Sequence, residues 1–410
     1  MKKEFFQIGM IGLGQRGSDH LKMLLAFPEA RIVAVCDKYE DRAEKGRDRV
    51  EETSGASPFT TTDYHTLLAH KDVDAVVIAT DWEMHVPIAV DAMRAGKAVM
   101  LEVGGAYTVE DCYRLVRTWE ETRVPFMFLE NCCYYKDELL ATAMARDGRF
   151  GRIVHCAGSY SHDLRKEVAT GKEKRHYRLR NYLSRNAENY PTHELGPIAK
   201  LLNINRGNRM VSLVSVASLA AGMEAYVKKN AETLDPELQG KHFAQGDIVN
   251  TLITCQNGET ILLTLDTTLP RSYSRSFTVR GTEGYYSQDT NSVFFDGDKE
   301  YSSPSKFIGL TLNNADQYVE RYLPSIWKST SEEDRKLFHG GMDGIMWKCI
   351  LDALINDKEL PIDVYDAASW MVVTALSEES IRRGGAPIEI PDFTSGTWTM
   401  REPLDVLPLG

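Results

Sequence analysis

The chain has no run of about 18 apolar residues, so no membrane-spanning helix is expected from it. It has no basic excess either: 48 lysines and arginines stand against 59 aspartates and glutamates, a formal net charge of -11. No basic face dominates such a balance, so neither nucleic acid nor an anionic membrane surface is an expected partner. The seven cysteines lack regular spacing and include the vicinal pair Cys132-Cys133, which reads as reduced thiols and not as a disulfide framework. His155, His162 and His176 lack the close ligand spacings of structural zinc, so no metal is expected. No Gly-x-Ser-x-Gly elbow follows a strand, which argues against a Ser-His-Asp hydrolase. There is no internal repeat and no low-complexity segment. The amino terminus, Met-Lys-Lys-Glu-Phe-Phe-Gln-Ile, enters a strand without an apolar signal core, so a cytoplasmic location is expected.

What is present is an ordinary globular composition, 43% hydrophobic and 26% charged, over 410 residues, enough for two domains. Up to about residue 130, short β-branched runs alternate with stretches of helical period, the pattern of a parallel sheet covered by helices. Strands are expected near Phe5-Ile11, Arg31-Cys36, Ala75-Ala79, Ala98-Leu101 and Pro125-Leu129, and helices near 17-27, 41-52, 63-69, 84-95 and 108-120. Beyond Asp147-Gly148 the texture changes. The runs "RIVHCAGSY", "RMVSLVSVAS", "DIVNTLITCQ", "ETILLTLDTT" and "SRSFTVRG" are β-rich, with the turn signal Asn257-Gly258 among them. They suggest an open, mainly antiparallel sheet with one packed face and one left for ligand or a partner subunit. From Gly340 to Arg383 the pattern is again helical. The expected class is α/β: a dinucleotide-binding Rossmann domain over 1–130, an α+β substrate and oligomerisation domain over 131–385, and a C-terminal arm over 386–410. A dimer or tetramer is the expected assembly.

The segment "IGMIGLGQRGSDHLKML" sets Gly12, Gly14 and Gly17 between a strand and a helix, which makes a weak glycine pattern informative. Gly12 permits the tight turn, Gly14 lets backbone approach a pyrophosphate, and Gly17 allows close packing of the helix, whose N-terminus faces negative charge. Leu13, Gln15 and Arg16 complete the turn. Asp37 closes the next strand, twenty residues beyond Gly17, where a carboxylate accepts hydrogen bonds from ribose hydroxyls and repels a 2′-phosphate. The expected cofactor is NAD, with Lys38 beside Asp37 leaving NADP open.

The stretch "IATDWEMHVPIAVDAMRAGKAVMLEVGGA" resembles the family of NAD(P)-dependent oxidoreductases that includes glucose-fructose oxidoreductase and inositol 2-dehydrogenase. That family carries a Glu-Lys-Pro motif whose lysine helps move the proton of the oxidised hydroxyl. Here the motif reads Glu102-Val103-Gly104, so the resemblance to a plain sugar-alcohol dehydrogenase is broken at its proton carrier. Over nearly its whole length the chain resembles glycoside hydrolase family 109, the NAD-dependent α-N-acetylgalactosaminidases, in "LEVGGAYT", "ENCCYY", "NYLSRNAENYPTHELGP", "NINRGNRM", "LPRSYSR", "HGGMDG" and "DFTSGTW". Glu194 departs from the glycine usual in that branch, and Gly104-Gly105 stands where a proline is common.

The resemblance implies a redox-neutral glycosidase. Oxidation at C3 of a sugar acidifies the C2 hydrogen, the C1 substituent leaves by elimination, water adds, and reduction restores the sugar. Such chemistry requires groups to move protons at the C3 hydroxyl, at C2 and at the leaving oxygen. Tyr190 and His193, three apart, can project to one side if their stretch is helical or a tight turn, and Pro197 places the start of the next helix near Gly196. The resemblance gives His193 the proton at C3 or C2, with Tyr190 assisting. It brings Tyr273 and His339 to the same pocket as sugar-binding or proton-transfer groups, although each alone reads equally well as packing or a turn. Tyr134 and Arg178 are substrate-side candidates, Arg178 lying in a basic run that more often marks a solvated face. Glu102, Trp82, His85 and Asn131 are cofactor-side candidates. The expected partner is a carbohydrate. An NAD-dependent sugar dehydrogenase and a non-catalytic NAD-dependent sensor stand as the other readings.

Overall fold

The computed structural model describes residues 4–298, 311–332 and 339–409. The chain forms two compact units, one of Met1–Asn131 with Thr330–Ala368, the other of Cys132–Ser329 with Ser369–Gly410. The segment Thr330–Ala368, which its sequence position assigns to the second domain, thus groups with the first. Its helix Met342–Ile355 buries Trp347, whose Nε1 donates to His20 Nδ1 at 2.9 Å, and fixes Asp343 on Arg16.

The first unit holds a six-stranded sheet, β1 (Phe6–Ile11), β2 (Ala30–Cys36), β3 (Phe59–Thr61), β4 (Ala75–Ile78), β5 (Ala98–Leu101) and β6 (Phe126–Phe128), in the order β3-β2-β1-β4-β5-β6. All pairs are parallel. Every residue of β4 and β5 is buried, as continuous apolar runs in a sheet covered on both faces must be. Strand order reverses between β1 and β4, the place where open α/β sheets leave a crevice at the carboxyl ends. The expected strands and helices are all present, and β3 is additional. With three half-buried residues at the sheet edge, it carries no apolar run to announce it.

The second unit holds an eight-stranded sheet: β7 (Ile153–Ser161), β8 (Met210–Ala217), β9 (Ile248–Cys255), β10 (Thr260–Asp266), β11 (Thr278–Gly281), β12 (Gly284–Ser287), β13 (Ser292–Phe295) and β14 (Ile388–Glu389). Their order is β13-β12-β11-β7-β10-β9-β8-β14. Among the described residues only β7 and β10 of this sheet run parallel, so the sheet is mainly antiparallel, as expected. Buried and open residues alternate along β9 and β10, and Val216 and Leu252 are exposed on the outer face. Asn257-Gly258 makes the β9–β10 turn, Gly258 at φ 99° and Cys255 N donating to Glu259 O. The arm after residue 386 contributes β14, pairs Asp405 with Arg146 and gives the Trp398 carbonyl to Gly207 N. Among the described residues no helix is long and apolar enough to cross a membrane, and no cysteine is joined in a disulfide.

Candidate functional site

In the first unit the site is built at the carboxyl ends of the strands. Gly12 follows β1 at φ 90°, and a Cβ there would lie 2.6 Å from the Ala79 carbonyl oxygen. A Cβ on Gly17 would lie 1.9 Å from the Gly12 carbonyl oxygen, so only glycine lets the helix Gln15–Leu24 enter this close to the turn. At Gly14 the nearest atom to a Cβ would be Arg42 NH1 at 3.7 Å, so the backbone lies open there. No side chain caps that helix and no acid sits in its first turn, leaving its N-terminal N–H groups and their positive dipole end for an anion. Asp37 is buried and its two oxygens accept from Leu13 N at 2.7 Å and Tyr39 N at 2.9 Å. A carboxylate so held retains lone pairs for ribose hydroxyls. Lys38 turns instead to Asp81, at 3.2 Å.

Trp82 and His85 open the helix Trp82–Arg94 at the end of β4, and both are buried. The His85 Nε2 lies 3.3 Å from the Thr80 carbonyl, and Nδ1 has no hydrogen-bond partner among the described residues. Burial pushes this imidazole down from its ordinary value, so it is neutral, with Nδ1 a buried acceptor that a bound dinucleotide's donor would satisfy. The Trp82 indole explains Gly104: a Cβ on residue 104 would stand 2.3 Å from Trp82 Cδ1, so this chain exchanges the bulk of the usual proline for an indole.

Glu102 is held from three sides. Its Oε1 accepts from Arg16 Nε at 2.6 Å and from His20 Nε2 at 2.7 Å, and its Oε2 from Val103 N at 2.8 Å. Because Trp347 donates to His20 Nδ1, the ring proton sits on Nε2. Arg16 continues to Asp343, NH1 to Oδ2 at 2.6 Å, and Asp343 also accepts from Asn131 Nδ2 at 2.6 Å and His339 Nδ1 at 2.8 Å. Burial alone would raise both carboxyls. The charge of Arg16, added to the hydrogen bonds from Arg16, His20 and His339, outweighs it and holds Glu102 and Asp343 well below the carboxylate range. Glu102, Arg16, Asn131 and His339 are therefore brought together, through His20 and Asp343, which the sequence reading did not single out.

In the second unit Tyr190 and His193 do share a side, their rings edge-on with centroids 4.8 Å apart. The helix begins at Thr192 and not near Gly196: Pro197 is its sixth residue, and Leu195 N already donates to Pro191 O. Pro191 is the N-cap, and Pro197, inside the helix, withdraws the N–H that would otherwise turn to the His193 carbonyl and crowds that carbonyl with its ring. Gly158 lets the helix lie on β7, since a Cβ there would come 2.8 Å from Glu194 Cβ. That contact aligns Tyr160, on β7, with Tyr190 at 4.6 Å and with His193 at 5.6 Å between ring centroids. Tyr160 Oη is 3.4 Å from His162 Nδ1, and the His162 ring is 5.2 Å from that of Tyr273. The last approach follows from a bridge between Ser161 and Ser274 that lays residues 273–275 along β7. Arg178 is buried, its guanidinium 5.0 Å over the Tyr190 ring and its Nε 2.8 Å from Glu167, so the basic run does contain an inward-facing cation. Tyr134 is fully buried, and its carbonyl accepts from Trp327 Nε1. Tyr160 and His162 are additions to the expected set.

The model of the glycosyl hydrolase 109 C-terminal domain matches residues 134–400. The chain belongs to glycosyl hydrolase family 109. Residues 6–129 match the oxidoreductase family with an NAD-binding Rossmann fold, and NAD is the cofactor of this family 109 enzyme. Among relatives it is similar to the α-N-acetylgalactosaminidase of Tannerella forsythia, 37% identical over 97% of this chain and 88% of that one. It is also similar to the α-N-acetylgalactosaminidase of Shewanella oneidensis, 34% identical over 99% and 89%. Of solved structures, levoglucosan dehydrogenase in complex with NADH and levoglucosan has a TM-score of 0.69 at 18% identity, covering 94% of this chain and 99% of that one. An apo scyllo-inositol dehydrogenase from Lactobacillus casei has a TM-score of 0.67 at 13% identity over 95% and 99%. At these identities the two structures speak for the fold of the family 109 chain alone.

Proposed function

We propose that the chain hydrolyses terminal N-acetyl-α-galactosaminides, or a closely related amino sugar glycoside, by a redox-neutral route. The observation that carries this reading is the group of proton-moving side chains in the second unit, Tyr160, His162, Tyr190, His193 and Tyr273, on a family 109 domain. Gly12, Gly14 and Gly17 with Leu13, Gln15, Arg16 and Asp37 hold NAD, together with Trp82, His85, Glu102 and Asn131. When bound, NAD supplies reversible oxidation of the sugar at C3.

The chain's own residues move the protons. His193 takes the proton of the C3 hydroxyl or of C2, and Tyr190, edge-on to it, assists. Tyr273 gives a proton to the departing C1 oxygen, and the same groups return protons after water adds. Arg178 and Tyr134 bind polar groups of the sugar, and His339, fixed by Asp343, serves as a further sugar-binding or proton-transfer group. Val103 supports this reading over net dehydrogenation, since it cannot carry the proton that the oxidoreductases' lysine does. The outer face of the second sheet, with Val216 and Leu252 exposed, supports a homo-oligomer.

The test uses p-nitrophenyl glycosides of both anomers without added cofactor, following phenolate and the NADH band. Catalytic phenolate release with no net NADH is expected. NADH accumulating with free sugar and added NAD would make the protein a dehydrogenase, and neither signal would make it a sensor.

A further inference from the structure

Arg275 is the one cation that meets the Tyr273 phenol among the described residues, and it is not a surface residue. It is 5% exposed and its partner Glu138 1%, with Nε 2.7 Å from Glu138 Oε1. Gln288 Nε2 donates to the same oxygen at 3.0 Å and to Asp137 Oδ2 at 3.3 Å, tying the pair to β12 and to the start of the helix Lys136–Arg146. The guanidinium lies 4.7 Å over the Tyr135 ring, and the Arg275 carbonyl accepts from Ser159 N at 2.6 Å, so head and backbone are both fixed. From that position NH1 donates to Tyr273 Oη at 3.1 Å. The phenol thus receives a hydrogen bond, while its own proton has no acceptor among the described residues, and Tyr273 as a whole residue is 47% exposed.

We propose that Arg275, held by Glu138, is a positioning residue for Tyr273: it fixes the phenol oxygen, leaves the phenol proton pointing outward, and compensates the negative charge left when that proton departs. The inference rests on the glycosidase reading given above and names the acid within it. In the step, the O–H bond of Tyr273 breaks, the proton passes to the departing glycosidic oxygen, and the electron pair stays as phenolate opposite the guanidinium until solvent returns a proton. The charged and titratable groups that face Tyr273 are Arg275, Cys132, Tyr160 and His162, and those that face Arg275 are Glu138, Cys132, Tyr273, Tyr135, Asp137 and Tyr286. Burial raises the phenol and Arg275 works against it, while Glu138 keeps the guanidinium charged in spite of its own burial. Asp137, pushed up to about 6 by burial and by Glu138, stands next to the pair.

The experiment is a pH titration of the holoenzyme carrying ring-labelled tyrosine, read by carbon NMR, with the Tyr273 signal assigned by its loss in Tyr273→Phe. Arg275→Met is expected to raise the Tyr273 midpoint by about one unit, tenfold in acidity, and Arg275→Lys to recover much of the shift. If Arg275→Met does not fold because Glu138 is left as a lone buried charge, Glu138→Gln with Arg275→Met removes both charges and should show the same shift. An unchanged midpoint overturns the assignment. A second readout is the leaving group: kcat for an alkyl glycoside should fall about tenfold further than kcat for the p-nitrophenyl glycoside in Arg275→Met, because the poorer leaving group depends on the acid. Equal losses on the two substrates overturn the assignment too. A shifted midpoint in a protein that turns over no glycoside would sink the proposed function and uphold the role of Arg275. An unshifted midpoint in a protein that does turn over would sink the role of Arg275 alone.

Discussion

At Asp343 four hydrogen bonds converge on one buried carboxylate, two from Arg16 and one each from Asn131 and His339. Its own and Glu102's depressed pKa values make the folded state bind fewer protons than the unfolded one as the pH falls. Their contribution to stability is therefore complete above the ordinary carboxylate range and is lost on acidification through the folded-state values. Asp343→Asn should cost about 3 kcal/mol near neutral pH and flatten the acid limb of a Tm-against-pH curve, measured by scanning calorimetry. An acid limb identical to that of the parent protein would contradict the network. His193 belongs to the other unit and to the chemistry: His193→Ala should abolish phenolate release, a loss of at least about a hundredfold, with the NAD content of the purified protein unchanged. Full activity in that variant would show that the "NYPTHELGP" segment has been misread.

At the scale of elements, the helix Thr192–Leu201 lies on β7 through Gly158, and this one contact sets Tyr190 and His193 against Tyr160. Gly158→Val places a Cβ 2.8 Å from Glu194 Cβ and 3.3 Å from Ile198 Cδ1, so the helix must move. A loss of about 1–3 kcal/mol in stability is expected from overpacking, with a fall in kcat larger than the change in KM. Denaturant unfolding and steady-state kinetics on the one variant check both. The elements legible in the sequence are those with long apolar runs, as β1, β2, β4 and β5 are. The strands β3, β12, β13 and β14 are only two to four residues long, too short for a periodic pattern to show. Tyr190 and His193 were legible because they sit three apart at a helix start. Tyr160 and His162 were not, since in an alternating strand they look like two more β residues, and only the pairing with residues 273–275 gives them neighbours. Asp343 was likewise visible only as part of "HGGMDG", because its partners Arg16 and Asn131 stand 327 and 212 residues away.

At the scale of the whole molecule, the dinucleotide turn and the Tyr–His group stand on different sheets in different units, and each has a defined architecture of its own. A net charge of -11 is compatible with this division, since the positive field that an anionic cofactor needs comes from one helix N-terminus and not from the surface at large. The central claim is that oxidation and elimination happen to the sugar and leave no net redox change. It is tested most directly by hydrolysing the N-acetyl-α-galactosaminide in deuterium oxide and locating the label in the released sugar by proton NMR. Deuterium at C2, with the original hydrogen kept at C3 and no net NADH, is the predicted result. Release of sugar with C2 unlabelled would contradict it.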